Sequence, residues 1–180
     1  VGASFAYSPS YAIDNKPENA MAKADYDDLK NYYWMDVYAY GRYPRAALAY
    51  LEANGVAPVF EEGDNAIMKE AAQLVDFMGV NYYQTTTVEF NDIDGVGTSH
   101  EMNTTGKKGT AKVQGVPGLY KNPQNANLPT TDWDWTIDPM GIRMCCREIT
   151  SRYDLPIVIS ENGLGAFDKL EDGEVHDPYR

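Results

Sequence analysis

A carboxylate that directly follows an apolar, β-branched run is a candidate for chemistry, and Glu161 stands in such a place. The run Leu155 to Ile159 reads as a short buried strand of a parallel sheet, and Ser160-Glu161-Asn162-Gly163 follows it. In such sheets the reactive groups gather at the C-terminal strand ends. A Glu at that rim is expected to be partly desolvated, restrained by its strand and close to groups from neighbouring strand ends. It can then serve as a nucleophile or as an acid and base. A second polar strand end, Asn81-Tyr82-Tyr83, closes the apolar stretch that begins at Asp76. Plainer readings compete with these. Glu before Asn-Gly also suits a solvated hairpin turn, and a strand-end Tyr such as Tyr83 often only packs. Trp133 and Trp135 suit a sugar-stacking platform and simple packing equally well. Cys145 and Cys146 read as helix packing with no partner base, and His176 as an exposed loop residue. With His100 and His176 the only histidines, and far apart, the sequence holds no metal-ligand cluster. Neither a metal nor a cofactor is expected.

The elements that must position these residues can be read from punctuation and periodicity. Val1 to Tyr7 is a plausible buried strand, and Ser8 to Lys16, with Pro9 and Asp14-Asn15, reads as a loop. Pro17 at a first helical position and Glu18 in the first turn open a helix that runs to Tyr40, with a break near Asn31. Pro44 to Asn54 and Gly63 to Val75 carry two shorter helical patterns, and Gly55 stops the first. Asp76 to Tyr83 is a buried strand. Glu89 to Thr131 holds six glycines and reads as a long functional loop with a short hairpin inside. Asp138-Pro139 opens a helix whose apolar stripe is Ile142, Cys145, Ile149 and Tyr153. Strand, helices, strand, helices, strand is the α/β pattern of a parallel sheet with right-handed crossovers.

Composition narrows the function classes. The chain has 180 residues, of which 43% are hydrophobic, enough for a core. Fifteen Lys and Arg against 27 Asp and Glu give a net charge of −12, which repels phosphate backbones and anionic lipid. No nucleic-acid partner and no membrane partner is expected, and no apolar run reaches the roughly 18 residues of a membrane span. Two adjacent cysteines suit a reducing, cytoplasmic setting. The chain opens Val1-Gly2-Ala3 and closes Asp177-Pro178-Tyr179-Arg180, and both ends read as cut, so a fragment is expected.

Four motifs in order carry a family resemblance. Ile157-Val158-Ile159-Ser160-Glu161-Asn162-Gly163 resembles the nucleophile signature of glycoside hydrolase family 1, the retaining β-glycosidases built on a (β/α)8 barrel. Asp76 to Tyr83 resembles that family's strand-six motif. Gly41-Arg42-Tyr43-Pro44 and Trp135 to Arg143 resemble two further landmarks. Ser4 to Pro9 and Tyr33 to Tyr38 are similar to the bacterial 6-phospho-β-glucosidases.

The resemblance implies Glu161 as nucleophile, Tyr83 as the group that hydrogen-bonds and orients it, Asn81 near the substrate and Trp135 on the aglycone side. It implies a small-molecule β-glucoside substrate, 6-phosphorylated. No Asn-Glu-Pro occurs to supply the family's acid/base Glu, and the phosphate loop that follows the nucleophile is absent. The expected fold is therefore α/β, an incomplete (β/α)8 TIM barrel comprising about strands five to seven with their helices. Residues 1–180 would be a single partial domain, inactive alone and prone to self-association through its open strand edges. An ordinary β-glucosidase is the near alternative. The 14 Tyr, 5 Phe and 3 Trp leave a non-catalytic sugar-binding module as the rival from another class.

Overall fold

The computed structural model describes residues 1–92 and 106–177. His100 and two of the six glycines of the long loop, Gly95 and Gly97, lie outside the described residues. Three strands form a parallel sheet in the order β1 (Gly2–Ala6), β3 (Phe77–Tyr82), β7 (Ile157–Asn162). β3 is central because its residues are the ones that can be enclosed, and Met78, Gly79 and Val80 are all buried. Gly79 is required there, since a Cβ would fall 2.7 Å from the carbonyl oxygen of Ala3 on β1.

Alternation along the strands sends Met78, Val80 and Tyr82 to one face, where they pack with Tyr7, Met35, Cys145, Ile149 and Tyr153. The stripe expected on the last helix, α5 (Gly141–Arg152), is the one it buries. α5 starts at Gly141 rather than Asp138, because Asp138 stays outside as its anchor. Met140 N–H donates to Asp138 Oδ1 at 2.9 Å, and Tyr11 and Thr85 hydroxyls reach Oδ2 at 2.9 and 3.1 Å.

The long helix expected over Pro17 to Tyr40 is continuous, with a π turn in place of a break. α1 (Pro17–Tyr26) and α2 (Tyr32–Tyr40) flank a π segment at Asp27–Asn31. The wider turn puts Asp27 and Asn31 on one side, facing the strand-end loop. There Asp27 accepts from Ser10 and Lys23, both at 2.6 Å, and from Asn31 at 3.0 Å. Asn31 also donates to the Ser8 carbonyl at 3.0 Å. Every buried polar atom in this group has a partner, which is the condition for burying it at all. Gly41 ends α2 in the left-handed region, φ 63°, against the backbone of α4 (Asp64–Ala72), where a Cβ would fall 2.6 Å from the Met68 carbonyl oxygen. α3 (Arg45–Ala53) lies between them in sequence.

α2 and α5 are tied across the outer face. Arg152 donates from Nε and Nη2 to the Asp36 carboxylate at 2.8 and 2.6 Å, and Tyr153 OH donates to it at 2.7 Å. The guanidinium also stacks 4.0 Å from the Tyr32 ring centroid.

Three expectations are corrected. Ser8 to Lys16 is not all loop, because β2 (Ser10–Ala12) pairs in parallel with β4 (Thr86–Val88) as a separate two-stranded sheet. β7 is longer than Leu155 to Ile159 and contains Glu161, because pairing with β3 resumes after a register shift, Asn81 with Glu161 and Tyr82 with Asn162. β7 is also not buried. It is an edge strand, and Val158 and Ile159 are 46% and 40% exposed. The long loop does hold the expected hairpin, β5 (Gln114–Val116) with β6 (Tyr120–Asn122). A last two-residue hairpin, β8 (Leu170–Glu171) with β9 (Glu174–Val175), precedes His176, which is exposed as expected.

Candidate active site

The site lies on the sheet face opposite the helices, at the C-terminal rim. Between Val80 and Asn81 the register of β3 against β7 shifts by one, so Ser160 has no partner of its own and Glu161 is re-aimed. Tyr83, just past the end of β3, donates its hydroxyl hydrogen to Glu161 Oε2 at 2.8 Å. That bond, and the nearby negative charge, push the Tyr83 phenol above its ordinary value of 10.0. A phenolate there would set two anions in contact. Glu161 itself is exposed, not partly desolvated as expected, because the open face leaves the edge strand in solvent.

Below this pair a polar cluster spans all three strands. Asn81 Oδ1 lies 2.6 Å from Ser4 Oγ and 2.8 Å from Ser160 Oγ, and the two serine hydroxyls are 2.6 Å apart. Asn162 donates to the Tyr82 carbonyl at 2.8 Å and holds the strand on the far side of the shift. The extra residue in β7 is thus fastened to β1 and β3 by its own side chain. Ser4 and Ser160 were not singled out from the sequence. The available signal was a small hydroxyl directly after an apolar stretch in each of the two strands.

Trp135 stands beside Tyr83, ring centroids 5.5 Å apart, and Trp133 meets Trp135 edge-on at 5.6 Å. Gly165 packs so close that a Cβ would fall 2.9 Å from the Trp135 indole. Asp134, between the two Trp, has φ 61°. Its carboxylate accepts from the N–H groups of Gly109, Thr110 and Ala111 at 2.7, 3.0 and 2.9 Å. The long loop is pinned to the Trp pair in this way. Together these elements wall a cavity of about 490 Å³ whose lining includes Asn81, Tyr83, Trp133 and Trp135.

The structure thus brings together all four residues named from the sequence. Glu161, Tyr83 and Asn81 meet at one rim, and Trp135 adjoins them through Tyr83. The cysteines lie elsewhere. Cys145 is buried under the sheet, and burial pushes its thiol up to about 12, which leaves it protonated and inert at neutral pH. Among the described residues no group of three or more His, Cys, Asp or Glu is placed to hold a metal ion. None of their helices is long and apolar enough to cross a membrane.

A carboxylate held at a strand end by a phenol, next to an aromatic-walled cavity, can attack an electrophilic carbon of a bound ligand. The family described as glycosyl hydrolase family 1 matches residues 1–180. The chain is 49% identical over 180 residues to the aryl-phospho-β-D-glucosidase BglC of Bacillus subtilis (strain 168), covering 100% of this chain and 37% of that protein. It is 32% identical over 181 residues to the 6-phospho-β-glucosidase AscB of Escherichia coli (strain K12), covering 100% of this chain and 34% of that protein. Among solved structures, a family 1 β-glucosidase from Thermotoga maritima superposes with a TM-score of 0.74 at 25% identity, over 99% of this chain and 34% of that one. The chain spans about a third of the length of the curated relatives it matches.

Proposed function

This chain belongs to glycosyl hydrolase family 1, and on that premise we propose that it carries the nucleophile side of a retaining β-glycosidase that hydrolyses 6-phospho-β-glucosides. The observation that carries the reading is the 2.8 Å hydrogen bond from Tyr83 to Glu161 at the strand rim. Tyr83 fixes one carboxylate oxygen and leaves the other to approach the anomeric carbon. In a retaining mechanism that oxygen forms the glycosyl ester as the aglycone leaves, and water later cleaves the ester. Asn81, one strand away in register with Glu161, stands where it can contact the bound sugar, and Trp135 walls the aglycone side.

Retaining hydrolysis needs a second carboxylate about 5–5.5 Å from the first. The sequence has no Asn-Glu-Pro to supply it, so we assign the acid/base, the phosphate site and the remaining strands to the two thirds of the relatives' length that these residues do not span. The 180 residues then form one partial domain, about strands five to seven of a (β/α)8 barrel, inactive in isolation. The 6-phosphate rests on the relatives' specificity, and a phosphorylated substrate together with two unpaired cysteines suits a cytoplasmic enzyme.

The test is to assay the full-length enzyme on aryl β-glucosides with and without the 6-phosphate. Activity only on the phosphorylated form is expected. Equal or better activity on the unphosphorylated form makes it an ordinary β-glucosidase, and no activity on either overturns the reading.

A further inference from the structure

An asparagine can offer a ligand either end of its amide, a donor or an acceptor. For Asn81 the two serines beneath it decide which. Asn81 Oδ1 lies 2.6 Å from Ser4 Oγ and 2.8 Å from Ser160 Oγ, and the hydroxyls are 2.6 Å apart. Between them the serines have two hydroxyl hydrogens. If one serine donates to the other, the second hydrogen is still left for Asn81. A contact of 2.6 Å suits O–H···O and falls below the roughly 2.7–3.2 Å of N–H···O. The end of the amide that meets the serines is therefore its carbonyl oxygen, as acceptor.

The sheet register then fixes where the other end points. Ser4 is in register with Gly79, two residues before Asn81. Ser160 precedes Glu161, which is level with Asn81 on the next strand. Both serines thus lie below Asn81, on the side away from the rim. With Oδ1 turned down toward them, Nδ2 turns up toward Glu161 and the cavity that Asn81 lines. Among the described residues no group accepts a hydrogen bond from Nδ2, so its two hydrogens face the site. The charge of Glu161 favours the same orientation, because an N–H dipole attracts a carboxylate and a carbonyl oxygen repels it.

We infer that Ser4 and Ser160 are positioning residues that lock the Asn81 amide with its N–H groups toward the substrate, so that Asn81 acts as a hydrogen-bond donor. The inference rests on the glycosidase reading and adds what sets the polarity of one of its contacts. A donor fixed in advance need not reorganise as the sugar binds and reacts, which is the advantage of preorganised dipoles. Ser160 is free for this work because the register shift leaves it no partner on β3. Its side chain, rather than its backbone, reaches that strand.

The test is a mutant cycle in the full-length protein, read as kcat/KM on whichever aryl β-glucoside it hydrolyses, 6-phosphorylated or plain. Ser4→Ala combined with Ser160→Ala should lower kcat/KM about tenfold, the worth of one to two ordinary net hydrogen bonds. Each change alone should cost about threefold, since one serine still holds Oδ1. Ser160→Thr keeps a hydroxyl and should stay within about twofold of the parent. In an Asn81→Ala background the paired serine changes should cost less than about twofold more, because residues that act through a third have nothing left to act on. No loss in the paired variant overturns the inference and leaves the glycosidase reading standing. So does a loss that persists in full without Asn81, that Ser160→Thr shares with Ser160→Ala, or that comes with a lowered thermal midpoint, since each makes the serines structural. Hydrolysis of neither glucoside by the parent overturns both.

Discussion

The two faces of the three-stranded sheet obey different rules. The outer face is dry. Met78, Val80, Cys145 and Ile149 are fully enclosed beneath α2 and α5, and the helices are locked together by Asp36, Arg152 and Tyr153. The inner face is polar and open, with Ser4, Asn81, Ser160, Glu161 and Tyr83 hydrogen-bonded across it and Val158 nearly half exposed. The same strands supply both faces, because alternate side chains point opposite ways. What differs is the partner. The outer face has its helices within these residues, whereas the inner face has a small polar cluster and, among the described residues, no helix laid across it. Stability and chemistry are thus divided between the two sides of one sheet, and each can be perturbed separately.

The largest effect should come from the inner face and leave the outer one untouched. In the full-length protein, Glu161→Gln removes the proposed nucleophile but keeps its size and hydrogen-bonding capacity. kcat on an aryl 6-phospho-β-glucoside should fall by at least about a thousandfold, with a thermal midpoint within a few degrees of the parent. Retention of more than about a tenth of kcat would mean that Glu161 is not the nucleophile, because losing a covalent catalyst is worth orders of magnitude.

The outer face should respond in the opposite sense. Ile149 is fully buried, so Ile149→Ala should lower the unfolding free energy of the full-length protein by about 2–5 kcal/mol. Denaturant titration measures it, and an effect below about 1 kcal/mol, far under the usual range for a core isoleucine, would show that the covered face is looser than its packing indicates.

Next in size is association. Exposed strand edges and uncovered apolar side chains invite pairing with another chain. The isolated 180-residue chain should therefore self-associate at micromolar concentration, and Val158→Lys should shift light scattering toward the 20.1 kDa monomer. A monodisperse monomer before any substitution would show that the inner face needs no cover.

The smallest expected effect is a titration. The folded value for Tyr83 is raised above 10.0, chiefly by its bond to Glu161. The hydrogen bond is therefore intact below pH 10 and is lost only as pH climbs through that raised value. In Glu161→Gln, Tyr83 should ionise closer to the ordinary value. The difference in tyrosinate absorbance between parent and variant isolates this one residue from the other tyrosines, and identical curves would break the assigned contact.

Much of this was legible in the residues, and for stated reasons. Pro17, Gly41 and Gly55 punctuate the helices because each acts through its own backbone. The stripe Ile142, Cys145, Ile149, Tyr153 faces the core because helical spacing leaves it no other face. Family motifs singled out Glu161, Tyr83, Asn81 and Trp135 before any contact was known. β2 and β4 were missed because three-residue strands carry too little pattern to be seen beside Pro9 and Asp14-Asn15. The π turn was seen only as a break, since its cause, the demand of Ser8 and Ser10 for Asn31 and Asp27, lies some 20 residues away in the chain.

By itself the sequence determined the alternation of strands and helices, the family, and the residue types at the rim. These follow from short-range order, where neighbours in the chain are neighbours in space. Only the tertiary structure decided that Ser160 is the extra residue in β7 and that it is bound by Ser4 from 156 positions away. It also decided that Glu161 thereby turns toward Tyr83, and that Asp36 is paired with Arg152 and Tyr153 across the outer face. Register between strands, and the pairing or lack of pairing of a buried atom, are set by groups remote in sequence. Local periodicity carries no information about either, and the geometry of the site is made of both.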